Sequence, residues 1–153
     1  MLLLSSISLV GEVSSSGEVE KLFGYGLQFS ESNFSKIDFK KANLRNANLI
    51  DSNLSGADFT DANLSGANLN GANLNNAVFV RANLVGTDFF GADLKGANLL
   101  KASLTYADLN HTTGLTINQL CLASSLYQTR LSKEMTSKVK RSCPILLTPS
   151  LIQ

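Results

Sequence analysis

The chain has 153 residues, one histidine and no tryptophan, with 13 Lys or Arg against 12 Asp or Glu for a formal charge of +1. That length makes one domain large enough to hold a core, and near-neutrality excludes a long-range pull on nucleic acid. The charge is uneven, at −2 over residues 1–26, −1 over 27–111 and +4 over 112–153, so only the short C-terminal part is basic.

The chain begins "MLLLSSISLV", an apolar run with no Lys or Arg before it. A secretory signal wants a positive leading region, and a membrane span wants roughly 20 apolar residues. The run therefore reads as a core-facing or end-capping piece, and residues 1–26 are assigned to an N-terminal capping segment with no transmembrane element. The protein is expected in the cytoplasm. A periplasm or lumen is the alternative if this stretch is a cleaved signal or if the two cysteines pair.

From Phe29 to Leu109 every fifth residue is Leu or Phe, which gives seventeen units without a miss. Two places before each stands a small or modest residue. It is Ala in twelve units (42, 47, 57, 62, 67, 72, 77, 82, 92, 97, 102, 107), and otherwise Ser32, Ser52, Thr87, Leu27 or Ile37. Asn or Asp fills most positions between them. On an α-helix, five residues advance about 500°, which smears the leucines around the axis. On a flat strand, an odd spacing throws alternate leucines to opposite faces. Burial of the whole set requires the chain to turn once per unit, and a path that keeps turning in one sense coils into a solenoid. Gly at 56, 66, 71, 86, 91 and 96 eases the bends, while Asn and Asp suit turns and allow amide ladders between coils.

The stretch "ANLRNANLIDSNLSGADFTDANLSGANLNGANLNNA", residues 42–77, resembles the pentapeptide repeat family, whose unit is written A-[D/N]-L-x-x. The likeness covers 27–111. It implies an all-β solenoid, a right-handed quadrilateral parallel β-helix of about four coils, with four units to a coil. Residues four units apart then stack, in a body roughly 20 Å tall at a strand spacing of about 4.8 Å. One inward column reads Phe39, Phe59, Phe79, Leu99, with rings placed for offset stacking.

After Leu109 the repeat ends, and residues 112–153 are expected to form a short α-helical C-terminal cap and tail. Thr116 with Gln119 has the form of a capping box, so a helix should start near Ile117. Leu131, Met135, Val139 and Cys143 fall at four-residue spacing as one apolar stripe, which Pro144 ends. Lys133, Lys138, Lys140 and Arg141 surround the stripe. They read as a solvated cap face, with an anionic membrane or acidic partner as the alternative. Cys121 and Cys143 each fall in one expected helix. They are either buried thiols or a disulfide tying the helices together, the latter suiting an oxidising compartment. A metal site needs more ligands than these two and His111.

No catalytic constellation is present. The one histidine has no evident triad partners, no G-x-S-x-G occurs, and the glycines match neither a dinucleotide fingerprint nor a P-loop. Asp58, Asp88, Asp93 and Asp108 stand where other units carry Asn. The sequence thus indicates no enzyme, no cofactor and no metal, and points to an interaction module or scaffold for an unknown protein partner. The alternatives are a structural or self-associating solenoid, and a DNA mimic that binds a topoisomerase, for which a body of net −1 lacks charge. "NAVFV" breaks the pattern, and Val78, Val80, Val85, Phe90 and Leu100 form a candidate interaction patch at one apolar corner, for a partner or a homodimer. A homodimer through one end is also open. The competing readings are drift at tolerant outward positions, and cover by the apolar tail "PILLTPSLI".

Overall fold

A computed structural model describes residues 26–149 of the chain. The expected N-terminal capping segment therefore lies outside the described residues but for Gly26. Parallel bridges join Gln28 to Asn48, Asn33 to Asn53, Asp38 to Asp58 and Asn43 to Asn63, and the pattern repeats as far as Asp93 to Thr113. Bridged partners stand four units apart and successive bridges one unit apart, so the chain climbs as a four-sided coil. We number the sides by their inward residues: side 1 carries Phe29, side 2 Phe34, side 3 Phe39 and side 4 Leu44.

The physical basis of the unit is visible in its fifth residue. Gly26, Glu31, Lys36 and every fifth residue on to His111 has φ between +52° and +72°. A hydrogen bond closes each turn, as from Ala47 N–H to the Leu44 carbonyl at 3.1 Å, in the type II pattern. The second residue of the unit holds the same turn from outside. Asn33 Oδ1 accepts from Ser35 N–H at 3.1 Å, Asp58 Oδ1 from Thr60 N–H at 2.9 Å and Asn98 Oδ1 from Leu100 N–H at 3.0 Å. With two of five residues in a turn, each side keeps one bridge rather than an extended strand, so the sheet character expected of a β-helix is reduced to ladders of single bridges. Amide ladders do form on sides 1 and 2, where Asn48 donates to Gln28 at 3.0 Å and Asn73 to Asn53 at 3.3 Å.

Gly86 isolates the backbone requirement, because a Cβ there meets nothing within 4 Å while φ is +66°. Gly86→Ala is expected to cost about 1 kcal/mol from the left-handed conformation alone, read by denaturant titration.

The inward residues fill the axis. Every Leu or Phe centre from Phe39 to Leu109 is 3 % exposed or less. Phe39, Phe59 and Phe79 stack in parallel with centroids 5.0 Å apart, and Phe79 meets Phe89 edge-on at 6.2 Å. Polar residues in the small position stay satisfied, since Thr87 Oγ1 donates to the Leu64 carbonyl at 2.8 Å and Ser52 Oγ to that of Leu49 at 2.7 Å.

The coil outlasts its sequence repeat. Past Thr113 the bridges resume between Ser103 and Ser125 and between Asp108 and Arg130, with partners now two positions further apart than in the repeat. The two extra residues belong to a stretch holding α1 (Ile117–Cys121), which carries the expected capping box of Thr116 and Gln119. Gln119 Nε2 also donates to the carbonyls of Leu94 and Ala97, each at 2.9 Å, and so ties the helix to the coil beneath. Position 111 therefore marks the end of the pentad pattern and not of the coil. α2 (Lys133–Ser142) follows with Ser132 as its N-cap and buries Val139, and its Met135 packs against the core beside Leu131, which precedes the helix. Cys143 is not inside α2 as expected but is its C-cap, because Pro144 opens a 3-10 helix (Pro144–Leu147). Cys121 and Cys143 are bridged, with Cα atoms 5.7 Å apart.

Candidate interaction surface

Outward residues are placed by the turn after each side, so each of the four vertical edges of the stack is a column of residues four units apart. Val80 and Leu100 share the edge between sides 3 and 4, in the column Lys40, Thr60, Val80, Leu100. Arg81 N–H donates to the Leu100 carbonyl at 2.9 Å, and Lys101 N–H in turn to that of Leu122 at 2.7 Å. Leu122 thus extends the column by one coil. Leu100 is 38 % exposed and Leu122 50 %, while Val80 is half-buried. The sequence hides Leu122 because it lies two places beyond the expected position, where the pentad count has lapsed.

The register corrects the idea of one apolar corner. Phe90 is two units from Val80, half a coil, and so sits on the diagonally opposite edge. There it packs against the exposed turn residue His111 with ring centroids 4.8 Å apart. Val85 lies on the edge between these two, and Val78 points out from side 3. The described part of the tail covers neither Val80 nor Phe90. Its Leu146 carbonyl accepts from Leu126 N–H at 2.7 Å on side 4, Leu147 packs on the core, and Ile145 is 77 % exposed.

Side 4 in the upper three coils presents Asn83, Ser103 and Ser125, with no charge. One of its edges is the Val80–Leu100–Leu122 column. The other carries Val85 and a tyrosine pair, Tyr106 and Tyr127, with centroids 5.8 Å apart. The charges nearby are Arg81 and Lys101. Arg81 is engaged with Asp61 through two 2.7 Å hydrogen bonds, and that guanidinium holds the Asp61 carboxyl below its ordinary value. On the opposite side the Lys95 backbone N–H, followed by the Asn75 amide, does the same for Asp93. These carboxylates are turn and ladder elements, which is the role the repeat gives to Asn elsewhere.

Val78 explains the break in the pattern at a cost. Lacking a side-chain acceptor, it leaves the Val80 N–H without a hydrogen-bond partner among the described residues. Val78→Asn should restore that bond and raise stability by about 1 kcal/mol in a denaturant titration. An unchanged midpoint would mean that water already satisfies the amide.

A cleft of about 350 Å³ lies between the last coil and α2, lined by Leu109, Asn110, His111, Thr112, Leu115, Leu131, Ser132 and Met135. Asn110 is committed to Asp108, Thr112 to the Leu109 carbonyl and Ser132 Oγ to the Met135 N–H, and among the described residues no hydrogen bond joins Ser132 to His111. Among the described residues no cluster of His, Cys, Asp and Glu could hold a metal ion, and no helix is long and apolar enough to cross a membrane.

The family model for pentapeptide repeats matches residues 26–61, 57–96 and 82–113. Among solved structures, the chain resembles the pentapeptide repeat protein Rfr23 from the cyanobacterium Cyanothece 51142. The two are 28 % identical with a TM-score of 0.62, over 78 % of this chain and 86 % of the other. A pentapeptide repeat protein of the Arabidopsis thaliana thylakoid lumen is 27 % identical with a TM-score of 0.51, over 82 % and 76 %. No curated protein matches the chain.

Proposed function

The chain belongs to the pentapeptide repeat family, and from that premise we propose that it is a non-enzymatic protein–protein interaction module. Its body is a right-handed four-sided β-helix closed at the C-terminus by α1 and α2. One observation carries the reading: the exposed apolar column Val80–Leu100–Leu122 borders the uncharged upper part of side 4. Contiguous apolar exposure at the rim of a flat face is a common mark of protein contact. Three coils rise only about 14 Å, a small height for a face that would have to supply the roughly 800 Å² per partner typical of stable complexes. A contact of that size is held transiently, and the reading takes a different protein as the partner. A body of net −1 gives no support to mimicry of DNA. The paired cysteines favour an oxidising compartment such as a lumen or periplasm over the cytoplasm, and the Arabidopsis relative comes from a lumen.

The test is capture of partners from source lysate by wild type, a Leu100→Asp/Leu122→Asp variant and a Phe90→Asp variant, each checked by circular dichroism for an intact fold. A partner kept by wild type and Phe90→Asp but lost from the double variant supports the reading. A partner lost only from Phe90→Asp moves the site to the opposite edge, and equal capture by all three refutes an apolar edge.

A further inference from the structure

The four-sided coil sorts its charges by side. Side 4 and the two edges that bound it carry Lys40, Lys41, Arg45, Arg81 and Lys101 against Asp61, a net of +4. Sides 1 and 2 and the edge between them carry Glu31, Asp51, Asp88, Asp93 and Asp108, a net of −5. On side 3 and the edge it shares with side 2, Lys36 and Lys95 balance Asp38 and Asp58. The net of −1 over the repeat therefore hides a separation of charge across the body, created because residues four units apart collect on one edge. Lys41, Asp61, Arg81 and Lys101 form one such column, each the next residue after a member of the column Lys40, Thr60, Val80, Leu100. Asp61 is held by Arg81 through two 2.7 Å hydrogen bonds, so Lys101 sets the sign at the height of Leu100.

Both the basic and the apolar columns continue onto the cap. Cys121 directly precedes Leu122, and the Cα of Cys143 is 5.7 Å from its own. The last turn of α2, with exposed Lys140 and Arg141, therefore ends above the edge between sides 3 and 4. Ile145, 77 % exposed, stands between Cys143 at that edge and Leu146, whose carbonyl takes the Leu126 N–H on side 4.

We propose that this edge binds an acidic protein segment, whose apolar side chains seat on Leu100, Leu122 and Ile145 while its carboxylates meet Lys101 and the Lys140–Arg141 pair. The proposal rests on the reading of the Val80–Leu100–Leu122 edge as the interaction surface, and adds the sign of the partner. Apolar contact holds the segment, and the charge steers its approach and rejects basic competitors. A nucleic acid fits poorly, because its closely spaced phosphates would run over three exposed apolar residues.

Fluorescence anisotropy with the full chain tests this. The probe is a labelled peptide of Leu-Leu and Glu-Glu pairs, about eight residues long and so able to span the edge when extended. Its counterpart has Lys in place of Glu. At low salt the acidic peptide should bind about fivefold tighter or more, and Lys101→Glu/Arg141→Glu should erase that preference with the circular dichroism spectrum unchanged. Leu100→Ser/Leu122→Ser separates the two claims. Weakening by this variant alone keeps the apolar edge and refutes the sign, whereas weakening by the charge variant alone keeps the sign and refutes the apolar edge. Equal binding of the two peptides, or equally tight binding of single-stranded DNA of the same charge, would overturn the proposal. So would self-association of wild type that about 0.5 M salt disperses, which would make the acidic side of a second copy the occupant.

Discussion

Phe59→Ala should cost about 3–5 kcal/mol in a denaturant titration monitored by circular dichroism. Phe59 is fully buried and stacks between Phe39 and Phe79 with centroids 5.0 Å away on each side. The stack cannot collapse around the gap, because the bridges above and below hold the coils at fixed spacing. The substitution therefore removes both the transfer contribution and the ring contacts, and leaves a cavity that relaxes poorly. Loss of under about 1 kcal/mol, well below the range for a buried aromatic, would mean that the ring is not on the axis and that side 3 is in another register.

The second large effect concerns the two cysteines. Replacing both Cys121 and Cys143 by Ala should lower stability by about 3 kcal/mol, the loop-entropy value for a sequence separation of 22. α2 buries one residue fully, Val139, and its remaining apolar contacts are partial, so the link at its C-cap matters more than it would for a helix with a deep face. Wild type should lose roughly 10 °C of melting temperature on addition of reductant. The double Ala variant should melt at the lower temperature with or without reductant. A wild type indifferent to reductant would mean that the thiols are unpaired in solution.

Much of the solenoid was legible because a single physical demand, burying one residue in five, repeats along the chain without interruption. The core column Phe39, Phe59, Phe79, Leu99 follows from counting by four units, and α1 from the Thr116–Gln119 pair. The turn conformation was only half legible. Glycine marks the left-handed position in six repeat units, yet Lys36, Arg81 and Tyr106 adopt it as well, with φ of +60°, +57° and +61°. The hydrogen-bonded turn imposes that conformation whatever the side chain, so composition understates it.

The surface was less legible, for a reason of geometry. Val80, Val85 and Phe90 are neighbours in sequence, but a chain that turns once per unit sends them to three successive edges. Proximity along the chain therefore misleads on this fold, while residues four units apart touch. The same rule concealed Leu122, since two residues inserted with α1 lengthen the coil just where the apolar column continues. The disulfide resisted prediction in a different way. Cys143 lies at the four-residue spacing of the α2 stripe, and the same stripe that seats the helix also accounts for an ordinary buried thiol.

Every placement above rests on a coil of four units, and cross-linking measures that period. In a Cys121→Ser/Cys143→Ser background, the pair Asn63→Cys/Asn83→Cys occupies bridged positions one coil apart. At a spacing of about 4.8 Å the two Cα atoms are within disulfide reach, and mild oxidation should join them. The pairs Asn63→Cys/Val78→Cys and Asn63→Cys/Asp88→Cys, which are three and five units apart and fall on different sides, should stay reduced. Oxidation of either of those pairs in place of the first would contradict the four-sided coil, and with it the edge assigned to partner binding.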